Sequence, residues 1–220
     1  MLDNIMKFLW DLLNEELGKN YAANPALRQS ILKLSQHFTT ERKSTNQKHE
    51  DVNQWPHPSP TRPRHQNYFD DPQLTRAYLA YFLPLSFYKV LWVLQSNQSL
   101  WKKTSMREDQ YWLDYGCGPG TASLASLAAY AQYLQKAQQS ENPATYRESI
   151  DAQAPPQAMT TNTIHIDLVD KHRDILNLAK RLIIKFAGKL GLKVSITTHT
   201  ALEKFAHVAD LQEEVAPHTN

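Results

Sequence analysis

The chain has 220 residues, 41% of them hydrophobic, with 12 prolines and a formal charge of +2. That length suits one domain or one and a half, and a charge so close to neutral selects no partner by itself. A single cysteine, Cys117, excludes an intramolecular disulfide and any metal or iron–sulfur site built on several thiolates.

The N-terminus MLDNIMKFLWDLL lacks the basic start of a secretory signal. Its Leu2, Ile5, Met6, Leu9, Leu12, Leu13 and Leu17 recur at three- and four-residue steps, one apolar face of a helix that Asp3 starts and Gly18 ends. Asn24 and Pro25 open a second helix with Leu27, Ile31, Leu34 and Phe38 on one face. The two are expected to pack as a hairpin over residues 1–38.

Residues 39–70 show no helical or strand period and read as a linker. Residues 28–65 carry seven Lys or Arg against three Asp or Glu, with Trp55 among them. Such a segment can lie along RNA, pairing phosphates and stacking a base, or remain a solvated loop.

Asp71 and Pro72 form a cap and first-turn pair, opening a helical segment over 71–110 that Pro84 is expected to break or kink. Its apolar run, 77–94, is interrupted by Pro84, Ser86 and Lys89. A membrane span needs about 20 mostly apolar residues, so the expectation is a core helix in a soluble, cytoplasmic chain with no membrane contact.

From Tyr111 the pattern changes. YWLDYGCGPGT is a short apolar strand, a glycine turn and the start of a helix over Ala122–Gln135. In that context a glycine motif carries weight. Gly116, Gly118 and Gly120 alternate, and Asp114 stands two residues before the first. Glycine lets backbone approach a ligand closely, and a helix start seats carboxylate or phosphate. A dinucleotide fold places Gly or Ala third in GxGxxG; here that position is the β-branched Thr121. An acid ahead of the glycines can hold a cationic amino group, which favours S-adenosylmethionine over NAD. Cys117 reads as a small turn residue and not as a nucleophile.

Residues 136–162 form a polar insertion. TIHIDLVD alternates as a second strand ending on Asp170, which suits either a ribose hydroxyl or a helix cap. Ile175, Leu178, Ala179, Leu182, Ile183 and Phe186 line a second crossover helix, and KVSITTHT is a third strand.

LDYGCGPGTAS resembles the first motif of the class I S-adenosylmethionine-dependent methyltransferases. With AYLAYFLPLSFYKVLWVL upstream, the chain is similar to the methyltransferase-like proteins of the mitochondrial small ribosomal subunit and their bacterial relatives. The resemblance implies an α/β fold: a helical N-terminal region, then a partial Rossmann-like core of three parallel strands and their helices over 111–220. It implies that Asp114, Gly116, Cys117, Gly118, Pro119, Gly120, Thr121 and Asp170 line a donor site, with Thr200 and Ala201 near the adenine. It also implies ribosomal RNA or the assembling small subunit as the acceptor. No catalytic residue and no metal ligand are assigned, and the cysteine set that holds a cluster in some relatives is missing. A seven-stranded fold would need a second half, so a truncated and inactive chain is the expectation. The alternatives are a non-enzymatic assembly factor that keeps the donor pocket, and an NAD-type oxidoreductase.

Overall fold

The computed structural model describes residues 2–46, 68–97, 109–141 and 162–200. The linker from 47 to 67 with Trp55, most of the insertion, and Ala201 lie outside the described residues. The chain divides into two units, Leu13–Leu85 and Met1–Leu12 with Ser86–Asn220. Their boundaries fall inside helices.

In the Leu13–Leu85 unit, α1 (Leu2–Leu17) ends at Gly18, whose φ of +92° suits a helix terminus. The Asn24 side chain accepts bonds from the Ala26 and Leu27 amides at 3.0 and 3.3 Å and so starts α2 (Pro25–Asn46). That helix runs past its predicted end at residue 38, so residues 39–46 are not linker. It packs chiefly on α3 (Pro72–Ala77). Asp71 caps α3 by accepting the Gln73 amide at 2.8 Å, as predicted. The Arg76 guanidinium donates to the Leu17 carbonyl at 2.7 Å and satisfies one of the free acceptors at the end of α1.

Pro84 does not break the chain's helical course. The winding widens into a π turn, Tyr78–Phe82, and resumes as α4 (Leu83–Ser96). Proline has no amide to donate and its ring crowds the carbonyl four residues back. A π turn just ahead lengthens the spacing, and the Leu83 amide reaches back to the Tyr78 carbonyl. The run Pro72–Ser96 is long and apolar enough to cross a membrane by length and composition. Within it Leu83, Phe87 and Leu91 are buried, while Tyr88 and Trp92 are exposed.

The second unit holds a three-stranded parallel sheet: β1 (Gln110–Tyr115), β2 (Thr163–Val169) and β3 (Lys193–His199), in the order β1-β2-β3. Parallel neighbours need a crossover, supplied by α5 (Thr121–Glu141) and α6 (Arg173–Lys189). Helix α5 runs beyond its predicted end at Gln135 and takes in the first residues assigned to the insertion. Right-handed crossovers taken in one direction put both helices on one sheet face. There Trp112 meets Tyr130 of α5 edge-on, Ile164, Ile166 and Leu168 are buried, and Phe186 of α6 meets Phe87. Every apolar position predicted for α6 is buried. Asp109 fixes the start of the β1–β2 pair by accepting the Thr163 amide at 2.7 Å; that bond and His165 hold its carboxyl below the usual carboxylate range.

The opposite face is bare on β1: Tyr111, Leu113 and Tyr115 are 77%, 55% and 60% exposed. On this face the His165 ring stacks on Tyr111 at 4.7 Å, and His199 pairs with Asp167 at 3.1 Å.

Candidate functional site

The turn between β1 and α5 lies at the C-terminal end of the sheet, where open α/β sheets bind ligands. Gly116, Gly118 and Gly120 all have positive φ, +66°, +51° and +80°, so the alternate spacing is a conformational requirement. The turn folds onto the end of β2: the Gly116 and Cys117 amides both donate to the Val169 carbonyl, at 2.8 and 3.1 Å. The Gly118 amide donates to Asp170 Oδ2 at 3.1 Å, and the Gly120 amide to the Cys117 carbonyl at 2.9 Å. Pro119 has no amide hydrogen to offer.

The loop amides are therefore used internally. The expectation that the Gly116–Gly120 backbone itself seats a carboxylate gives way to a narrower one. At the start of α5 the Thr121 and Ala122 amides have no hydrogen-bond partner among the described residues, and these are the donors that can meet an anion.

Two carboxylates flank the turn. Asp114 Oδ2 accepts both the Ser123 hydroxyl, at 2.6 Å, and the Ser123 amide, at 3.2 Å; Asp114 is thus a cap for α5 supplied from the neighbouring strand. Burial pushes its carboxyl up, the two Ser123 bonds pull the other way, and the charge of Asp170 adds to the rise. Asp170 accepts the Gly118 amide on Oδ2 and the His172 amide, at 3.0 Å, on Oδ1. It ties the glycine turn to the approach of α6, whose cap residue is His172 and not Asp170. A carboxylate has about four lone-pair sites, so two bonds leave acceptor capacity for a hydroxyl.

Space is uneven around the turn. Gly116 is exposed, and a Cβ there would meet nothing within 4 Å. Cys117 to Thr121 are buried. Gly120 sits against α6: a Cβ would come within 2.8 Å of Ile183 Cδ1 and 3.3 Å of Ala179 Cβ. Gly120 thus lets the turn pack directly against α6. Burial pushes the Cys117 thiol up to about 12, with Asp114 and Asp170 adding to the shift, so it stays protonated and is no nucleophile. A recess of about 330 Å³ lies beside the turn, lined by Trp112, Leu113, Asp114, Ala122, Ser123 and Ser126.

The structure thus brings Asp114, Gly116, Gly118, Gly120, Thr121 and Asp170 together. Thr200 follows β3, is exposed, and has no hydrogen bond to the turn among the described residues. Ser123 escaped the sequence reading because a serine in the first turn of a helix is ordinary; the signal was its proximity to an acid on the preceding strand. Among the described residues no group of three His, Cys, Asp or Glu is placed to hold a metal.

Thr121 is buried and its Oγ1 has no hydrogen-bond partner among the described residues. An unpaired buried hydroxyl costs about 1–3 kcal/mol. Thr121→Val is expected to raise stability by about 1 kcal/mol in urea unfolding; a loss of stability would show that the hydroxyl is hydrogen-bonded in solution.

Comparison with protein-family models, with curated proteins and with solved structures returns no match.

Proposed function

We propose that the β1–α5 turn binds S-adenosylmethionine and that the chain is methyltransferase-like, acting on small-subunit ribosomal RNA or the assembling small subunit. On this reading the β1-β2-β3 sheet is the first half of a Rossmann-like core. The observation that carries the donor assignment is the convergence of two carboxylates, from the ends of adjacent parallel strands, on a turn of three positive-φ glycines. The acceptor class rests on the resemblance of LDYGCGPGTAS and the helical segment before it.

The residues fit the donor's chemistry. Asp114 presents a carboxylate beside the recess for the amino group. The Thr121 and Ala122 amides suit its carboxylate, and Asp170 has acceptor capacity left for ribose hydroxyls. When bound, S-adenosylmethionine supplies an electrophilic methyl on a positively charged sulfur. The protein's own contribution is to orient that group and hold its charge, so that a nucleophile meets it in line. A non-enzymatic role in assembly would use the same pocket.

Titration calorimetry on the full chain tests the donor. S-adenosylhomocysteine is expected to bind saturably and NAD to give no heat of binding. NAD binding without a response to the homocysteine ligand would overturn the reading in favour of a dinucleotide enzyme.

A further inference from the structure

The two bonds from Ser123 to Asp114 end on the same oxygen, Oδ2. Oδ1 has no hydrogen-bond partner among the described residues, and Asp114, Ser123 and Trp112 all line the recess beside the turn. A carboxylate held at one oxygen by a rigid helix turn cannot rotate freely, and its second oxygen keeps a fixed direction. Ser123 is itself buried, so its hydroxyl is not shared with bulk water.

We propose that Ser123 is the positioning residue of this site: by holding Oδ2 through hydroxyl and amide, it keeps Asp114 as a fixed acceptor whose Oδ1 takes a primary ammonium group in the recess. The identity of that cation as the donor's amino group rests on the reading given above, whereas the hold of Ser123 on Asp114 does not.

The electrostatic setting makes this hold necessary. The titratable group acting on Asp114 is Asp170, from the end of β2; the Cys117 thiol of the turn is un-ionised. The charge of Asp170 disfavours a second negative charge beside it. The first two turns of α5, TASLASL, contain no charged residue. Hydrogen bonds to the charged form are what favour ionisation at such a place, and the Ser123 hydroxyl gives the shorter of the two. The Ser123 amide remains in any substitution, so the hydroxyl can be removed without leaving α5 uncapped.

The test compares the full chain with Ser123→Ala and Ser123→Thr. In the ligand-free protein, the Asp114 carboxyl is followed by carbon NMR as pH is varied. Its titration is expected to move to higher pH in Ser123→Ala and to return in Ser123→Thr. With S-adenosylhomocysteine as the probe, Ser123→Ala is expected to bind about tenfold more weakly at a pH between the two measured titrations. The loss should be much smaller at a pH above both measured titrations, where the carboxyl is ionised in both proteins. An unmoved titration overturns the proposal, as does an equal loss of affinity at both pH values, which is what a merely structural role predicts. Should the titration move while the wild-type chain binds no S-adenosylhomocysteine, the donor reading falls and the assignment of Ser123 to Asp114 stands.

Discussion

Gly120→Ala is expected to lower the stability of the chain by about 2–4 kcal/mol in urea unfolding. Two independent effects combine there. A non-glycine residue at a φ of +80° is strained by about 1–2 kcal/mol. The added methyl also meets Ile183 and Ala179 of α6 at 2.8–3.3 Å, an overpacking of about 1–3 kcal/mol. Ile183 Cδ1 is the far end of a flexible side chain, which keeps the second effect toward its lower limit; Ala179 Cβ has no such freedom. Gly116→Ala is the internal control. Its φ of +66° imposes a similar backbone strain, but its side chain would enter open space, so the loss should be about 1 kcal/mol. Equal losses for the two variants would show that the turn does not press on α6.

Replacing Asp170 is the second large effect, because its carboxylate has two jobs. Asp170→Ala removes the acceptor for the buried Gly118 amide and should cost about 1–3 kcal/mol of stability. Donor affinity is expected to fall about tenfold or more, but the loss of the turn's shape would alone weaken binding. A ligand that lacks the ribose hydroxyls separates the two. If Asp170 holds the ribose, the deoxy analogue of S-adenosylhomocysteine should bind the wild-type chain about tenfold more weakly than the parent, and Asp170→Ala should not tell the two ligands apart. A preference for the parent ligand that survives in Asp170→Ala would leave Asp170 as a clamp on the turn and nothing more.

How much of this is legible in the sequence depends on whether a residue's role is local. The caps at Asn24 and Asp71 are local, and each does what its side-chain chemistry implies. The alternation of TIHIDLV and the apolar stripe of α6 report burial directly, and both elements stand where the pattern puts them. The spacing of Gly116, Gly118 and Gly120 reports backbone conformation, and all three are left-handed. Residues 39–46 and 136–141 continue helices with no apolar stripe to mark them, so periodicity falls silent while the winding goes on. Pro84 interrupts the α winding as its rule says, but the form of the interruption, a π turn, lies upstream in residues with no signature of their own. The double engagement of Asp170 and the hold of Ser123 on Asp114 depend on partners brought together by the fold.

The protonated state of Cys117 turns the chain's one thiol into a gauge of the turn's opening. Folded, it is buried and un-ionised, so a thiol reagent in solution has no nucleophile to meet. Labelling proceeds only through moments when the turn lifts off β2, and its rate then reports the free energy of that local opening. A ligand that bridges Asp114 and Asp170 must slow the same reaction by the factor with which it favours the closed turn. With no second cysteine in the sequence to blur the signal, occupancy of the pocket is readable without any assay of chemistry.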